Sequence, residues 1–172
     1  MKTLLLLRHA KSSWEDEARR DIDRPLTERG RKAAWRMGRL LADQGLVPEL
    51  VLCSTARRAR ETYDGLVPAL PDGVETRFEA RLYMAEPATL LQLVRALPDK
   101  VGTVLLIGHN PGLEQFAGRL SGSGDGDALG RMAHKFPTAA LAVLRFEDGG
   151  WRKVAPAAGR LDAFVAPREL DG

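Results

Sequence analysis

The chain has 172 residues, of which 44% are hydrophobic and 28% charged, a composition that fits a globular protein with one substantial core and argues against disorder. Its 26 Lys and Arg are set against 23 Asp and Glu for a formal net charge of +3, so the basic residues are largely balanced and no nucleic-acid partner is expected. One cysteine, Cys53, cannot form an internal disulfide, and with only three histidines at wide spacing no zinc pattern emerges, so no metal is expected. The four leucines after Lys2 and Thr3 are too short for the apolar core of a signal peptide, and no later run is long enough to cross a bilayer. A single domain over residues 1–172 is expected, cytoplasmic and off the membrane. Nothing in the sequence fixes its oligomeric state, although a monomer is expected.

In chain order, the apolar run 4–7 reads as a strand of a parallel sheet buried on both faces, and it runs straight into Arg8-His9. Thr27 is placed to cap a helix after Pro25-Leu26. Its apolar stripe is Ala33, Ala34, Met37, Leu40 and Leu41, with Arg29, Arg31, Arg36 and Arg39 on a solvated face and Gly45 as its stop. A second strand fits 50–53, ending at Ser54-Thr55, and a helix fits 56–66. Residues 74–78 alternate as a third strand, Pro87 opens a helix through 90–97, and 101–107 forms a fourth strand that ends in Gly108-His109-Asn110-Pro111-Gly112 before a helix over 113–120. The Gly/Ser/Asp stretch 121–126 lacks the Gly-Lys-Ser/Thr ending of a P-loop and reads as a flexible linker. Residues 139–146 and 151–154, joined across Glu147-Asp148-Gly149-Gly150, read as a terminal β-hairpin.

Alternating strands and helices imply an α/β fold with a mostly parallel sheet covered by helices on both faces. In such sheets ligands bind beyond the carboxyl ends of the strands. Arg8-His9 follows the first strand, Ser54 through Arg58 the second and His109 the fourth, so two arginines and two histidines distant in sequence can meet at one edge. A neutral imidazole is a competent nucleophile near neutral pH, and guanidinium grips a phosphoryl group bidentately.

These residues resemble the histidine phosphatase superfamily, also called phosphoglycerate mutase-like. Its Arg-His-Gly element appears as Arg8-His9-Ala10, its Ser-x-x-x-Arg-Ala-x-x-Thr element as Ser54 through Thr62, and its Gly-His element as Gly108-His109. Leu7-Arg8-His9-Ala10-Lys11-Ser12, Arg24-Pro25-Leu26-Thr27-Glu28-Arg29-Gly30 and Gly108 through Gly112 resemble the small phosphohistidine phosphatases of the SixA type. The resemblance implies a three-layer α/β/α sandwich. It also implies that His9 is the nucleophile that becomes phosphorylated, that Arg8, Arg58 and His109 hold the phosphoryl oxygens, and that Arg57 is a surface residue. The two guanidiniums are expected to lower the pKa of His9, and a bound dianion to favour protonated His109.

Many superfamily members carry a carboxylic acid after the third strand, where this chain reads Arg81-Leu82-Tyr83-Met84-Ala85. Glu79 and Glu86 flank the gap, and each reads as a solvated charge or as an acid reaching inward. Without an acid, phosphoramidates or other activated donors are expected over sugar phosphates, because an alkoxide leaves poorly unprotonated. The short chain offers no large insertion for a lid, so an open pocket that admits a phosphorylated side chain of a partner protein is expected. Ser12, Ser13 and Trp14 are rim candidates, Thr138 a further one, and His134 is read as structural. The competing readings are a mutase or phosphatase acting on a small phosphorylated metabolite, a non-catalytic phosphate-binding adaptor, and a thiol phosphatase built on Cys53. For the last, a Cys-x5-Arg cradle would need arginine where Ala59 stands.

Overall fold

Consecutive leucines at 4–7 send alternate side chains to opposite faces of a strand, and both faces are covered. Leu4 and Leu6 sit in one hydrophobic core and Leu5 and Leu7 in another, with none of the four more than 1% exposed. The computed structural model describes residues 1–147 and 149–170, and Asp148 of the anticipated hairpin loop lies outside them. Its strands are β1 (Lys2–Arg8), β2 (Leu50–Ser54), β3 (Glu75–Glu79), β4 (Thr103–Gly108), β5 (Ser121–Gly124), β6 (Leu141–Phe146) and β7 (Gly159–Val165). They form one sheet in the order β3-β2-β4-β1-β6-β7-β5. The pairings of β3 with β2, β2 with β4, β4 with β1 and β5 with β7 are parallel, and those of β6 with β1 and β7 are antiparallel.

The helices α1 (Glu28–Asp43) and α2 (Arg57–Leu66) follow β1 and β2 and cover one face through Ala34, Met37, Leu41, Ala59 and Leu66. The other face is covered by α3 (Pro87–Arg95), α4 (Gly112–Leu120) and α5 (Gly126–His134), through side chains such as Leu90, Phe116 and Met132. The result is the expected three-layer α/β/α sandwich. Because β1 feeds a helix on one face and its neighbour β4 feeds a helix on the other, the chain parts between their carboxyl ends and leaves a crevice there. Local chemistry ends α1 where the sequence indicates. Thr27 Oγ1 accepts the Gly30 N–H at 3.0 Å, and Gly45 takes φ 67° just past the helix.

Two expectations at the C-terminal end are corrected. The stretch 121–126 is not a linker, since Ser121–Gly124 is the edge strand β5, paired in parallel with β7. Residues 151–154 are not the partner of β6. Trp151–Lys153 is a short 3-10 helix, and the strand antiparallel to β6 is β7. Trp151 is withdrawn from any hairpin because its ring is fully buried beside α3 and its Nε1–H donates to the Val101 carbonyl at 2.8 Å. A buried indole N–H takes the acceptor within reach, and here that acceptor precedes β4. Among the described residues no helix is long and apolar enough to cross a membrane.

Candidate active site

The crevice between the ends of β1 and β4 opens into a cleft of about 430 Å³ lined by Arg8, His9, Arg58 and His109 together. Backbone pairing sets their approach. Arg8 stands in register with Gly108, and the His9 N–H donates to the Gly108 carbonyl at 3.0 Å. The His9 and His109 ring centroids are 5.2 Å apart. Two glycines allow the loops around the cleft to close on one another. A Cβ on Gly30, at the start of α1, would stand 2.1 Å from the Lys11 carbonyl oxygen, and one on Gly112, at the start of α4, 1.8 Å from that of Ala85.

Hydrogen bonding gives each imidazole a definite tautomer. His9 Nδ1 lies 2.7 Å from the Ala10 carbonyl oxygen, which can only accept, so Nδ1 carries the proton and Nε2 keeps its lone pair. Ala10 is itself held, because its N–H donates to Thr62 Oγ1 at 2.9 Å while the Thr62 hydroxyl donates to the Arg58 carbonyl at 2.7 Å. For His109, Nε2 is 2.7 Å from Ser54 Oγ, which accepts the Ala56 N–H at 3.2 Å. Among the described residues Nε2 is the acceptor within reach of the buried Ser54 hydroxyl hydrogen, so the hydroxyl donates to Nε2 and leaves Nδ1–H as a donor.

Burial above all, and then the guanidiniums of Arg58, Arg8 and Arg24, hold His9 down to about 3 from an ordinary 6.5, despite the opposing Ala10 carbonyl. His109 is likewise lowered to about 3, first by burial and then by His9 and Arg58, with Asp21 opposing and Arg8 adding. Both rings are neutral at neutral pH. The direction for His9 is the expected one, but desolvation outweighs the arginines as its cause.

The arginines are fixed from behind. Arg58, 2% exposed, donates through Nη1 to the Asp21 carbonyl at 2.7 Å and through Nη2 to the Asp21 carboxylate at 3.0 Å. Arg8 donates through Nη1 to the Phe136 carbonyl at 3.0 Å, the same oxygen that takes the Asn110 side-chain amide. What remains is a set of buried polar atoms without a protein partner: Nε of Arg8, Nε of Arg58 and Nδ1 of His109. Buried donors are ordinarily satisfied, so three orphans around one cleft mark the place of an anion with several acceptor oxygens.

Sequence reasoning missed Asp21, which lines the cleft from a short 3-10 helix (Asp21–Asp23) after β1. Partial burial raises its pKa, but hydrogen bonds from Tyr83, Arg58 and Arg24 outweigh that and hold the carboxyl at about 2. Tyr83, whose hydroxyl donates to Asp21, stands edge-on to the His109 ring at 5.4 Å. Arg24 bonds Asp21 through Nε at 3.1 Å and lies 3.4 Å from the Trp14 ring centre. The signal available in the sequence was the Asp-x-x-Arg spacing of Asp21 and Arg24 ahead of Pro25, one turn of a short helix.

Of the rim candidates, Ser12, Trp14 and Thr138 line the cleft and Ser13 does not. The Ser13 hydroxyl oxygen accepts the Glu15 N–H and its backbone bonds Pro25, which turns it to the outer loop. Trp14 is 72% exposed, an open platform and not a tucked core residue. Neither Glu79 nor Glu86 lines the cleft. Glu79 accepts from the Arg81 backbone and guanidinium, both at 3.1 Å, and Glu86 is exposed ahead of α3. Arg57 lies on the surface with Glu61, and His134 is exposed in the last turn of α5. Cys53 faces the core beneath α1 and α2, where burial pushes its thiol up, away from the reactive thiolate. Among the described residues no group of three or more His, Cys, Asp or Glu side chains is placed to hold a metal ion.

Comparison with known proteins agrees with this geometry. The profile of the histidine phosphatase superfamily (branch 1) matches residues 4–83. An uncharacterised protein of Mycobacterium leprae is 39% identical over 168 residues, 94% of this chain and 100% of that one. A crystal structure from Agrobacterium tumefaciens, assigned as a phosphohistidine phosphatase SixA, superposes with a TM-score of 0.82 at 35% identity over 96% of this chain and 98% of its own. A structure from Nakamurella multipartitia with the same assignment gives 0.83 at 30% identity over 96% of each chain. With the relatives matched end to end and the strand-end histidines and arginines in one cleft, the chain belongs to the histidine phosphatase superfamily, in its SixA-type branch, and is a phosphatase with a histidine nucleophile.

Proposed function

We propose that the protein hydrolyses phosphohistidine on a partner protein through a covalent intermediate on His9. The observation that carries this reading is the ring of unpartnered donors, Arg8 Nε, Arg58 Nε and His109 Nδ1, around an imidazole whose other nitrogen is already tied to a carbonyl. The lone pair on His9 Nε2 attacks phosphorus as the P–N bond to the substrate imidazole breaks; that imidazole, already protonated on its distal nitrogen, keeps the P–N electron pair and leaves as the neutral ring. Water then attacks the phosphoenzyme, releasing inorganic phosphate and regenerating neutral His9. The orphan donors take the equatorial oxygens, so positioning and charge neutralisation account for most of the rate.

Among the described residues lining the cleft none is a protonated carboxyl, which favours a nitrogen leaving group. Asp21 is the carboxylate in the cleft, and at about 2 it is ionised at neutral pH and engaged with Arg58 and Arg24, a clamp for cations and not an acid. The open cleft with exposed Trp14 at its rim suits a side chain presented by another protein, and the SixA assignment of the Agrobacterium and Nakamurella structures favours the same substrate.

Rapid quenching with 32P-labelled phosphohistidine peptide tests the proposal. Label is expected on the enzyme, lost in acid, retained in alkali and absent from His9→Ala. Wild-type turnover by His9→Ala, or faster hydrolysis of an alkyl phosphate than of phosphohistidine, would overturn it. The same substrate panel separates this activity from action on a small phosphorylated metabolite, and the absence of turnover on every substrate would identify a binding adaptor.

A further inference from the structure

A second concavity, of about 500 Å³, adjoins the catalytic cleft and shares Lys11 and Thr138 with it. Lys11, Arg29, Lys32, Arg36 and Arg168 line it, all exposed, and among the described residues lining it none is a carboxylate. On α1 the lining positions 29, 32, 33 and 36 follow the i, i+3, i+4, i+7 spacing that usually makes a buried apolar stripe. Here three of the four are cations, while the opposite side of α1 carries the core residues Ala34, Met37 and Leu41. The helix thus presents a cationic face to a groove closed on its far side by Pro167 and Arg168, where the sequence had suggested only a solvated face. Lys32 pairs with Glu28 at 3.7 Å, and both of those side chains are at least 67% exposed, which makes the pair weak and easily exchanged.

We propose that this groove docks an acidic surface segment of the phosphorylated protein substrate and so positions its phosphohistidine in the neighbouring cleft. The inference rests on the reading of the cleft as a protein phosphohistidine site. Charge complementarity selects the occupant's chemistry, because Lys11, Arg29, Lys32 and Arg168 gather in one groove of a chain of only +3 overall and concentrate positive potential at this spot. Continuity selects its source. A protein that inserts a phosphorylated side chain into the cleft must lay adjoining surface on the ground next to it, and Lys11 with Thr138 is that boundary. A concave groove suits a ridge of side chains better than a flat bilayer, and no aromatic side chain lines it for base stacking.

The test uses two phosphohistidine peptides of one length, one with glutamates flanking the phosphohistidine and one with glutamines in their place, together with free phosphohistidine. Wild-type enzyme is expected to prefer the glutamate peptide by about tenfold in kcat/KM at low salt, through KM, with the preference shrinking as salt rises. In R29E/K32E/R168E the preference is expected to vanish or invert, while kcat/KM on free phosphohistidine stays within about twofold of wild type, which also reports an intact fold. The neutral set R29Q/K32Q/R168Q is expected to fall between. Equal use of both peptides by wild type, or an unchanged preference in the reversed variant, overturns the docking role and leaves the proposed function standing. A wild type inert toward both peptides overturns both. Tight binding of phosphatidylserine vesicles or an RNA oligomer that depends on these residues, with no preference between peptides, would assign the groove to a different macromolecule and overturn the proposal.

Discussion

Replacing Thr62 by valine preserves the shape of the side chain and removes only its hydroxyl, yet that hydroxyl joins the nucleophile loop to α2. It is fully buried, accepts the Ala10 N–H at 2.9 Å and donates to the Arg58 carbonyl at 2.7 Å. In Thr62→Val the Ala10 N–H keeps its burial and loses its acceptor, at a cost of about 1 to 3 kcal/mol. For a chain of this size that lowers the melting temperature by about 2 to 12 °C. The chemical consequence runs through the same residue, Ala10, whose N–H and carbonyl lie in successive peptide groups. The Ala10 carbonyl fixes the His9 tautomer, so an Ala10 backbone free to shift at its N–H lets the adjoining carbonyl and the ring turn, and a displaced nucleophile of this kind costs about 10- to 100-fold in kcat. Thermal melting and steady-state kinetics on phosphohistidine read the two effects, and Thr62→Ser, which keeps the hydroxyl, is expected to recover most of the kcat. A valine variant that melts within about 1 °C of wild type with undiminished kcat would refute the assignment of this hydrogen-bond chain to the nucleophile.

Arg58→Ala is expected to lower kcat/KM by about 10² to 10³, and Arg58→Lys to recover little, since an ammonium cannot replace both the fork to Asp21 and the Nε donor; near-wild-type kinetics for the lysine variant would contradict that geometry. Burial holds His9 and His109 at about 3 when folded against 6.5, so between those values the unfolded chain binds more protons. Stability is therefore expected to be full above about 6.5 and to decline as pH falls toward 3, and denaturant titrations showing greater stability at pH 5 than at pH 7 would reverse the sign of this argument. Asp21 adds to the acid side, because its carboxyl at about 2 against 3.8 contributes stability that is present above 3.8 and lost as pH falls through 2. Gly112→Ala puts a Cβ 1.8 Å from the Ala85 carbonyl and is expected to displace the start of α4 and His109 with it, whereas Gly118→Ala on the same helix meets nothing within 4 Å; equal effects of the two on melting and kcat would argue against the close approach.

The strands with their charged ends, the Thr27 cap, the Gly45 stop and the placing of Arg8, His9, Arg58 and His109 at one sheet edge were legible in the sequence. Each is a local matter, since side-chain alternation, capping and turn chemistry act over a few residues and a parallel sheet then aligns the strand ends. The folded chain decided what depended on partners far apart in sequence. Asp21 becomes a clamp only because Arg58, Arg24 and Tyr83 reach it from separate segments, and the Gly/Ser stretch Ser121–Gly124 becomes a strand only because β7 pairs with it. Trp151 leaves the expected hairpin for a carbonyl 50 residues away, and α1 gains its cationic groove from the far end of the chain. Composition and periodicity record what a residue prefers among its neighbours, whereas a buried hydrogen bond or a concentrated charge exists only once the fold has removed water and brought the other half to it.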